Sequence, residues 1–297
     1  MSKILDENKN GLVKKASLLN LSAKTLADSL KSGCFKSVYR GQGIEFYGVR
    51  DYNCGDNVRS IDWNVTARMG RPFIKLYDED RELQVFFVLD RSLSMFSSSG
   101  KQTRLQAASQ TATLLVLACL LNNSSIGAVL FDGRIQFSTK AKSGRDHAMM
   151  ILSHLDQMQE KMTKGSALAS ALTGTIKMLK KRSMVFVISD FRTEGYQEPL
   201  ARLAVNNDVI AIKITDQLDN ELPQIGTAFF VDLESGFQQK IPTASKAFKN
   251  AWLKESRHRN DVWKEFCVRH GIAPLILSTE EDPFLSLNRF FLSRRKI

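Results

Sequence analysis

Five consecutive apolar residues, VFFVL at Val85 to Leu89, leave this stretch of chain without a polar face. A strand of that kind has to be covered on both sides, which is the position of an interior strand in a parallel sheet flanked by helices. A second run, Met184 to Ile188, has the same character. Each is stopped by polar residues, Asp90 after the first and Ser189-Asp190 after the second.

The rest of the pattern alternates around these two runs. Helical spacing is read over Thr103 to Leu121, Arg145 to Gln159 and Ser166 to Leu179, with a short helix near Gln197 to Val205. Strands are read at Ile126 to Phe131, Ile135 to Ser138 and Val209 to Ile214, and another over Ala228 to Leu233. A long polar helix near Ser245 to His270, a strand Ala273 to Leu277 and a last helix near Pro283 to Leu292 complete the series. Strand and helix in alternation predict an α/β fold with a doubly wound, mostly parallel sheet over 83–297.

Upstream the composition changes. Leu12, Leu18, Leu19, Leu26 and Leu30 share helical spacing, so residues 1–32 are expected to be a helical segment. Residues 33–82 are rich in glycine, aspartate and arginine, and are expected to be an irregular β subdomain of three to five short strands. Within it, Val65 to Arg68 and Pro72 to Tyr77 flank Met69-Gly70 and predict a hairpin. Arg50, Arg59 and Arg68 are expected to pair with Asp51, Asp56 and Asp62, with Trp63 over their aliphatic stems.

Lysine and arginine number 42 against 31 acidic residues, which points to an anionic partner or surface. The excess is not gathered into blocks, so no specific nucleic acid is expected. The start MSKILDENKNGLVKK has no apolar core of a secretory signal. Ala112 to Leu121 is about half of the roughly 20 apolar residues that a membrane helix needs. Cys34, Cys54, Cys119 and Cys267 form no Cys-x-x-Cys pair. These features together predict a cytoplasmic protein with no transmembrane segment.

Asp90-Arg91-Ser92-Leu93-Ser94 sets three oxygen-bearing side chains at alternate positions after a buried strand, and such a turn can aim them at one hard cation. By itself the pattern is weak, because Asp and Ser also cap helices and satisfy turns. Two further segments strengthen it: Ser166 stands before a helix, and Asp190 follows the next buried strand. All three can meet at the carboxyl end of a parallel sheet, where open α/β folds place ligands.

These residues resemble the metal-ion-dependent adhesion site (MIDAS) of the von Willebrand factor A-like superfamily. The resemblance implies that Ser92, Ser94 and Ser166 contact the cation, expected to be Mg²⁺ or another divalent ion, while Asp90 and Asp190 hold its waters. Serine at 166 replaces the usual threonine and keeps the oxygen. The segment GIEFYGVRDYNCGDNVRSIDWNVTAR, with GRPFIKLYDEDRE after it, further resembles the signature of the bacterial domain-of-unknown-function family 58 (DUF58). That resemblance implies an accessory protein associated with a MoxR-type AAA+ ATPase, assisting substrate handling or protein maturation.

Enzyme motifs are missing from the sequence. There is no HExxH, no G-x-S-x-G elbow and no phosphate-binding G-x-x-x-x-G-K-[ST] loop. His147 and His154 lie seven residues apart and are read as packing or surface residues. The expectation is a non-enzymatic, metal-dependent protein-binding module. The alternative is a Mg-dependent phosphoester hydrolase, in which Asp132 would join Asp90 and Asp190.

Overall fold

A computed structural model describes residues 22–28, 45–78, 83–97, 100, 102–157, 163, 165–220, 222, 226–231 and 238–294. Its first strands, β1 (Glu45–Asp51) and β2 (Phe73–Asp78), pair antiparallel, and between them runs a short helix, α1 (Trp63–Met69). A six-stranded sheet follows. It contains β3 (Gln84–Asp90), β4 (Ser125–Phe131), β5 (Ile135–Lys142), β6 (Met184–Ser189) and β7 (Asp208–Thr215), and later β10 (Ala273–Ser278). Its spatial order is β10-β7-β6-β3-β4-β5, parallel except for the antiparallel edge strand β5.

The predicted α/β class and mostly parallel sheet are therefore observed, with helices on both faces. In β3, Val85, Phe87 and Leu89 point into one apolar cluster, and Phe86 and Val88 into the other. The first cluster is closed by α2 (Arg104–Leu121), α3 (Arg145–Asp156) and α8 (Pro283–Arg294). The second is closed by α4 (Leu168–Met178), α5 (Gln197–Asn206) and α7 (Lys246–Arg269), the short α6 (Gln217–Asn220) lying between the last two in sequence. Alternation along a strand sends successive side chains to opposite faces, so a run with no polar member fills both cores at once.

Two aromatic contacts tie the first core together. Phe87 of β3 stacks on Phe186 of β6 at 5.4 Å, and Phe186 meets Phe291 of α8 edge-on at 6.3 Å. On the second face, Gly127 of β4 stands opposite Phe86, whose ring fills the space a side chain would take.

Several expectations are corrected here. Val65 to Arg68 is helical, because Asp62 caps α1 by accepting from Asn64 N (3.0 Å) and Val65 N (3.3 Å), and Gly70 ends it at φ 70°. The strand that pairs with β2 is instead β1. The strand near Ala228 is β8 (Thr227–Val231), which pairs with β9 (Gln238–Pro242) as a separate antiparallel ribbon outside the main sheet. Of the N-terminal helical segment, residues 22–28 are helical and Leu26 is buried in the first core; Leu12, Leu18, Leu19 and Leu30 lie outside the described residues.

The expected Arg/Asp network is borne out at one pair, Arg50 with Asp56, and differs elsewhere. Arg50 makes a two-pronged pair with Asp56 (2.7 and 2.7 Å), and Asp51 pairs with Arg71 at 3.3 Å. Asp62 is taken up by the helix cap, and Trp63 is 67% exposed.

Candidate metal centre

At β3 the sheet changes winding direction. The chain leaves β3 for α2 on the first face, whereas it leaves β6 for α5 on the second. Adjacent strands whose following helices go to opposite faces open a crevice at their carboxyl ends. Asp90 and Asp190 stand at that crevice, 1% and 3% exposed.

Asp90 is held from two sides. Ser92 N donates to its Oδ1 at 2.9 Å, and Ser189 Oγ donates to its Oδ2 at 2.6 Å across the β3–β6 boundary. Ser92 starts a 3-10 turn, Leu93–Phe96, which carries Ser94 back so that the two hydroxyl oxygens lie 3.1 Å apart. The Ser94 carbonyl accepts from Ser97 Oγ (2.8 Å) and from the Arg104 guanidinium (3.2 Å), which fixes the turn against α2.

Asp190 is positioned by the backbone. Phe191 has φ 53°, a left-handed conformation that is costly for an aromatic residue. It is held there by packing, with its ring 5.3 Å from both Tyr196 and Trp263, and by its N–H donating to Ser189 Oγ at 3.0 Å. Asp190 Oδ1 accepts from Arg192 N at 3.2 Å. The Arg192 guanidinium lies 3.9 Å from Oδ2, too far to hydrogen-bond, and pairs with Asp219, which also pairs with the buried Arg104 at 2.8 Å.

Ser166 reaches the same edge through Asp132. The Asp132 carbonyl accepts from Ala167 N at 2.7 Å. Its carboxylate accepts from Thr163 N (3.0 Å), Arg134 N (2.9 Å) and Gln136 Nε2 (2.7 Å). Asp132 directly follows β4, the neighbour of β3, so it staples the segment bearing Ser166 to the end of the sheet.

Two observations bear on whether these residues suit a cation. Ser166 Oγ and Asp190 Oδ2 are both buried and have no hydrogen-bond partner among the described residues. Such groups cost about 1–3 kcal/mol each unless something satisfies them. In addition, burial and the neighbouring Asp190 charge push Asp90 up to about 7, against the opposing hydrogen bonds from Ser189 and Ser92. Two buried carboxylates and three hydroxyls form a hard-oxygen donor set that suits Mg²⁺. Among the described residues no group of three or more His, Cys, Asp and Glu could hold a metal, so a cation here would rest on this mixed set.

Sequence reading missed Ser189, Phe191 and the Arg104–Asp219–Arg192 chain. Ser189 was legible in principle, because the β3–β6 register sets it opposite Asp90 once the strands are aligned. The histidines behave as expected: His147 Nε2 lies 2.9 Å from the Ile126 carbonyl oxygen, and His154 stacks on Phe137 at 4.0 Å. Cys119 and Cys267 are buried on opposite faces of the sheet, Cys54 is exposed, and Cys34 lies outside the described residues.

A family model described as "Protein of unknown function DUF58" matches residues 48–262. An uncharacterized protein of Mycobacterium tuberculosis is 31% identical over 283 residues, covering 94% of this chain and 88% of the relative. A shorter uncharacterized protein of Mycobacterium avium is 31% identical over 131 residues, 43% of this chain and 76% of the relative.

Among solved structures, the chain is similar to an aerotolerance-related membrane protein of Bacteroides fragilis, with TM-score 0.44, 16% identity, and 72% and 100% of the two chains covered. It is similar to the SpRpn10 VWA domain with TM-score 0.39, 11% identity, and 70% and 94% covered. A third is an uncharacterized membrane-spanning protein of Vibrio fischeri, with TM-score 0.23, 15% identity, and 71% and 98% covered.

The cytoplasmic placement is withdrawn, since two of these similar chains are described as membrane proteins. Composition misleads on this point because a folded α/β domain buries the same core whether free or tethered. By length and composition one helix among the described residues, Arg104–Leu121, could cross a membrane, although 56% of it is buried within the fold.

Proposed function

The chain belongs to the DUF58 family, and on that footing we propose that it is a non-enzymatic protein-binding accessory module with a divalent cation, Mg²⁺ by preference, at Asp90, Ser92, Ser94, Ser166 and Asp190. When bound, such a cation supplies an exchangeable position for a carboxylate oxygen of the partner. Ser92, Ser94 and Ser166 offer it hydroxyl oxygens, and Asp90 and Asp190 supply the charge and hold its waters. The partner, following the family resemblance, is a MoxR-type AAA+ ATPase or its substrate.

The single observation that carries this reading is the pair of buried oxygens, Ser166 Oγ and Asp190 Oδ2, that have no hydrogen bond among the described residues, at the edge where Ser92 and Ser94 converge. The phosphoester-hydrolase alternative needs a third free carboxylate, whereas both Asp132 oxygens already accept hydrogen bonds from the protein. The metal-bridge reading is tested by calorimetry with Mg²⁺ alone, then with a MoxR-type ATPase. One Mg²⁺ should bind per chain, Ser94→Ala should weaken it about tenfold or more, and EDTA should abolish the complex. A complex indifferent to both EDTA and Ser94→Ala would overturn it, and Mg²⁺-dependent phosphoester turnover lost in Asp90→Ala would favour the hydrolase.

A further inference from the structure

Among the described residues, those around α1 leave two cations without an ionic partner and a tryptophan exposed. Asp56 is consumed by Arg50 and Asn53 N, Asp51 by Arg71, and Asp62 by the cap of α1. Arg59 and Arg68 are consequently exposed with no ionic partner among the described residues. Trp63 is 67% exposed and Val58 58%.

Geometry gathers these groups. At 100° per residue, Trp63, Ala67, Asn64 and Arg68 occupy one continuous arc of α1, and all four are exposed. The opposite side carries Thr66, whose hydroxyl accepts from Phe73 N at 3.0 Å and anchors the helix to β2. Arg59 and Val58 sit on the 3-10 turn Val58–Ser60 just before the helix.

The chemistry of the patch selects its partner. Tryptophan and arginine dominate the energetic centres of protein interfaces, where lysine is depleted. No lysine occurs between Glu45 and Ile74. An anionic membrane is held by clusters of about 4–8 basic residues, and single-stranded nucleic acid by a continuous basic groove; two free guanidiniums beside a large ring supply neither. The chain's own first 44 residues carry more lysine and arginine than acid, so they do not complement the patch.

We propose that the outer face of α1, with Arg59 from the preceding turn, is a docking surface for an acidic segment of a partner protein, which offers carboxylates to Arg59 and Arg68 and an apolar side chain to Trp63. This surface is separate in its chemistry from the candidate metal centre, since it needs no cation.

A phage-displayed random dodecapeptide library, selected on the full chain in EDTA, tests it. Selected peptides should combine Asp or Glu with an aliphatic or aromatic residue. Their affinity should fall about tenfold or more in Trp63→Ala and in the double variant Arg59→Ala, Arg68→Ala, while Trp63→Phe keeps part of it and Asp190→Ala leaves it unchanged. Circular dichroism identifies variants that fail to fold, and Trp63→Phe keeps the ring test readable if Trp63→Ala does so. Peptides without acidic enrichment, affinities indifferent to the Arg and Trp changes, or no selected peptide at all would overturn the proposal. So would Arg59- and Arg68-dependent binding seen only with phosphatidylglycerol vesicles or a single-stranded oligonucleotide.

Discussion

Ser166 and Asp90 carry opposite signatures of the same site. The Ser166 hydroxyl is buried without a hydrogen bond among the described residues, so in a cation-free protein it is a cost rather than a support. Ser166→Ala is therefore expected to leave stability in EDTA unchanged or raised by about 1 kcal/mol, yet to lower it relative to wild type in saturating Mg²⁺. Chemical unfolding in both buffers measures the crossing, and destabilisation of similar size in both would contradict it. Asp90 is raised from 3.8 to about 7 by burial and by Asp190. A carboxyl group raised on folding contributes stability that is complete below its unfolded value and is lost as pH rises through the folded one. Cation-free wild type should thus lose stability between about pH 4 and 7 relative to Asp90→Asn, and Mg²⁺ affinity should rise over the same window as the carboxylate forms. Parallel pH–stability curves for the two proteins would show that Asp90 does not titrate this way.

At the scale of elements, the β3–β4 pair is locked by a size match. A Cβ on Gly127 would lie 2.3 Å from the Phe86 ring, and that ring is fully buried. Gly127→Ala should cost about 1–3 kcal/mol through overpacking. Adding Phe86→Leu should recover part of that loss, which a urea-unfolding double-mutant cycle would read as a coupling energy. Because Asp90 continues β3 and Asp132 follows β4, slack between these strands would also loosen the edge that carries the site. The short helix α1 teaches a related lesson about reading elements. Its cap residue Asp62 and its terminating Gly70 were both visible in the sequence, but the turn-like Met69-Gly70 pair was read as a hairpin signal. A short segment satisfies either pattern, and hydrogen bonds from Asp62 to Asn64 N and Val65 N decide between them.

For the whole molecule, a cation bound only by the native state must stabilise the entire fold. At a free Mg²⁺ concentration about 100 times the dissociation constant, the expected gain is about 2.7 kcal/mol. Scanning calorimetry should show the melting temperature rising with Mg²⁺ and returning on EDTA addition, with the rise absent in Asp190→Ala. A melting temperature independent of Mg²⁺ would show that the five residues hold no cation. The two cores on either side of the sheet share every interior strand, so this gain should be felt as one transition rather than two.

The sequence by itself determined the central sheet and its covering layers: runs such as VFFVL and MVFVI have no polar face, and burying both faces requires helices above and below a parallel sheet. It also determined which polar residues stand at the ends of those strands, because a strand's last residue is read directly from where the apolar run stops. Only the tertiary structure decided how those ends meet. Ser189 enters the site through the β3–β6 register, Asp132 ties the Ser166 segment to the sheet, and Phe191 is held at a positive φ by Tyr196 and Trp263. Which aspartate Arg50 takes, and that Arg59 and Arg68 take none among the described residues, was equally beyond local reading. An aspartate next to an arginine in sequence has competing offers from backbone N–H groups and distant guanidiniums, and only the folded chain fixes which one is in reach.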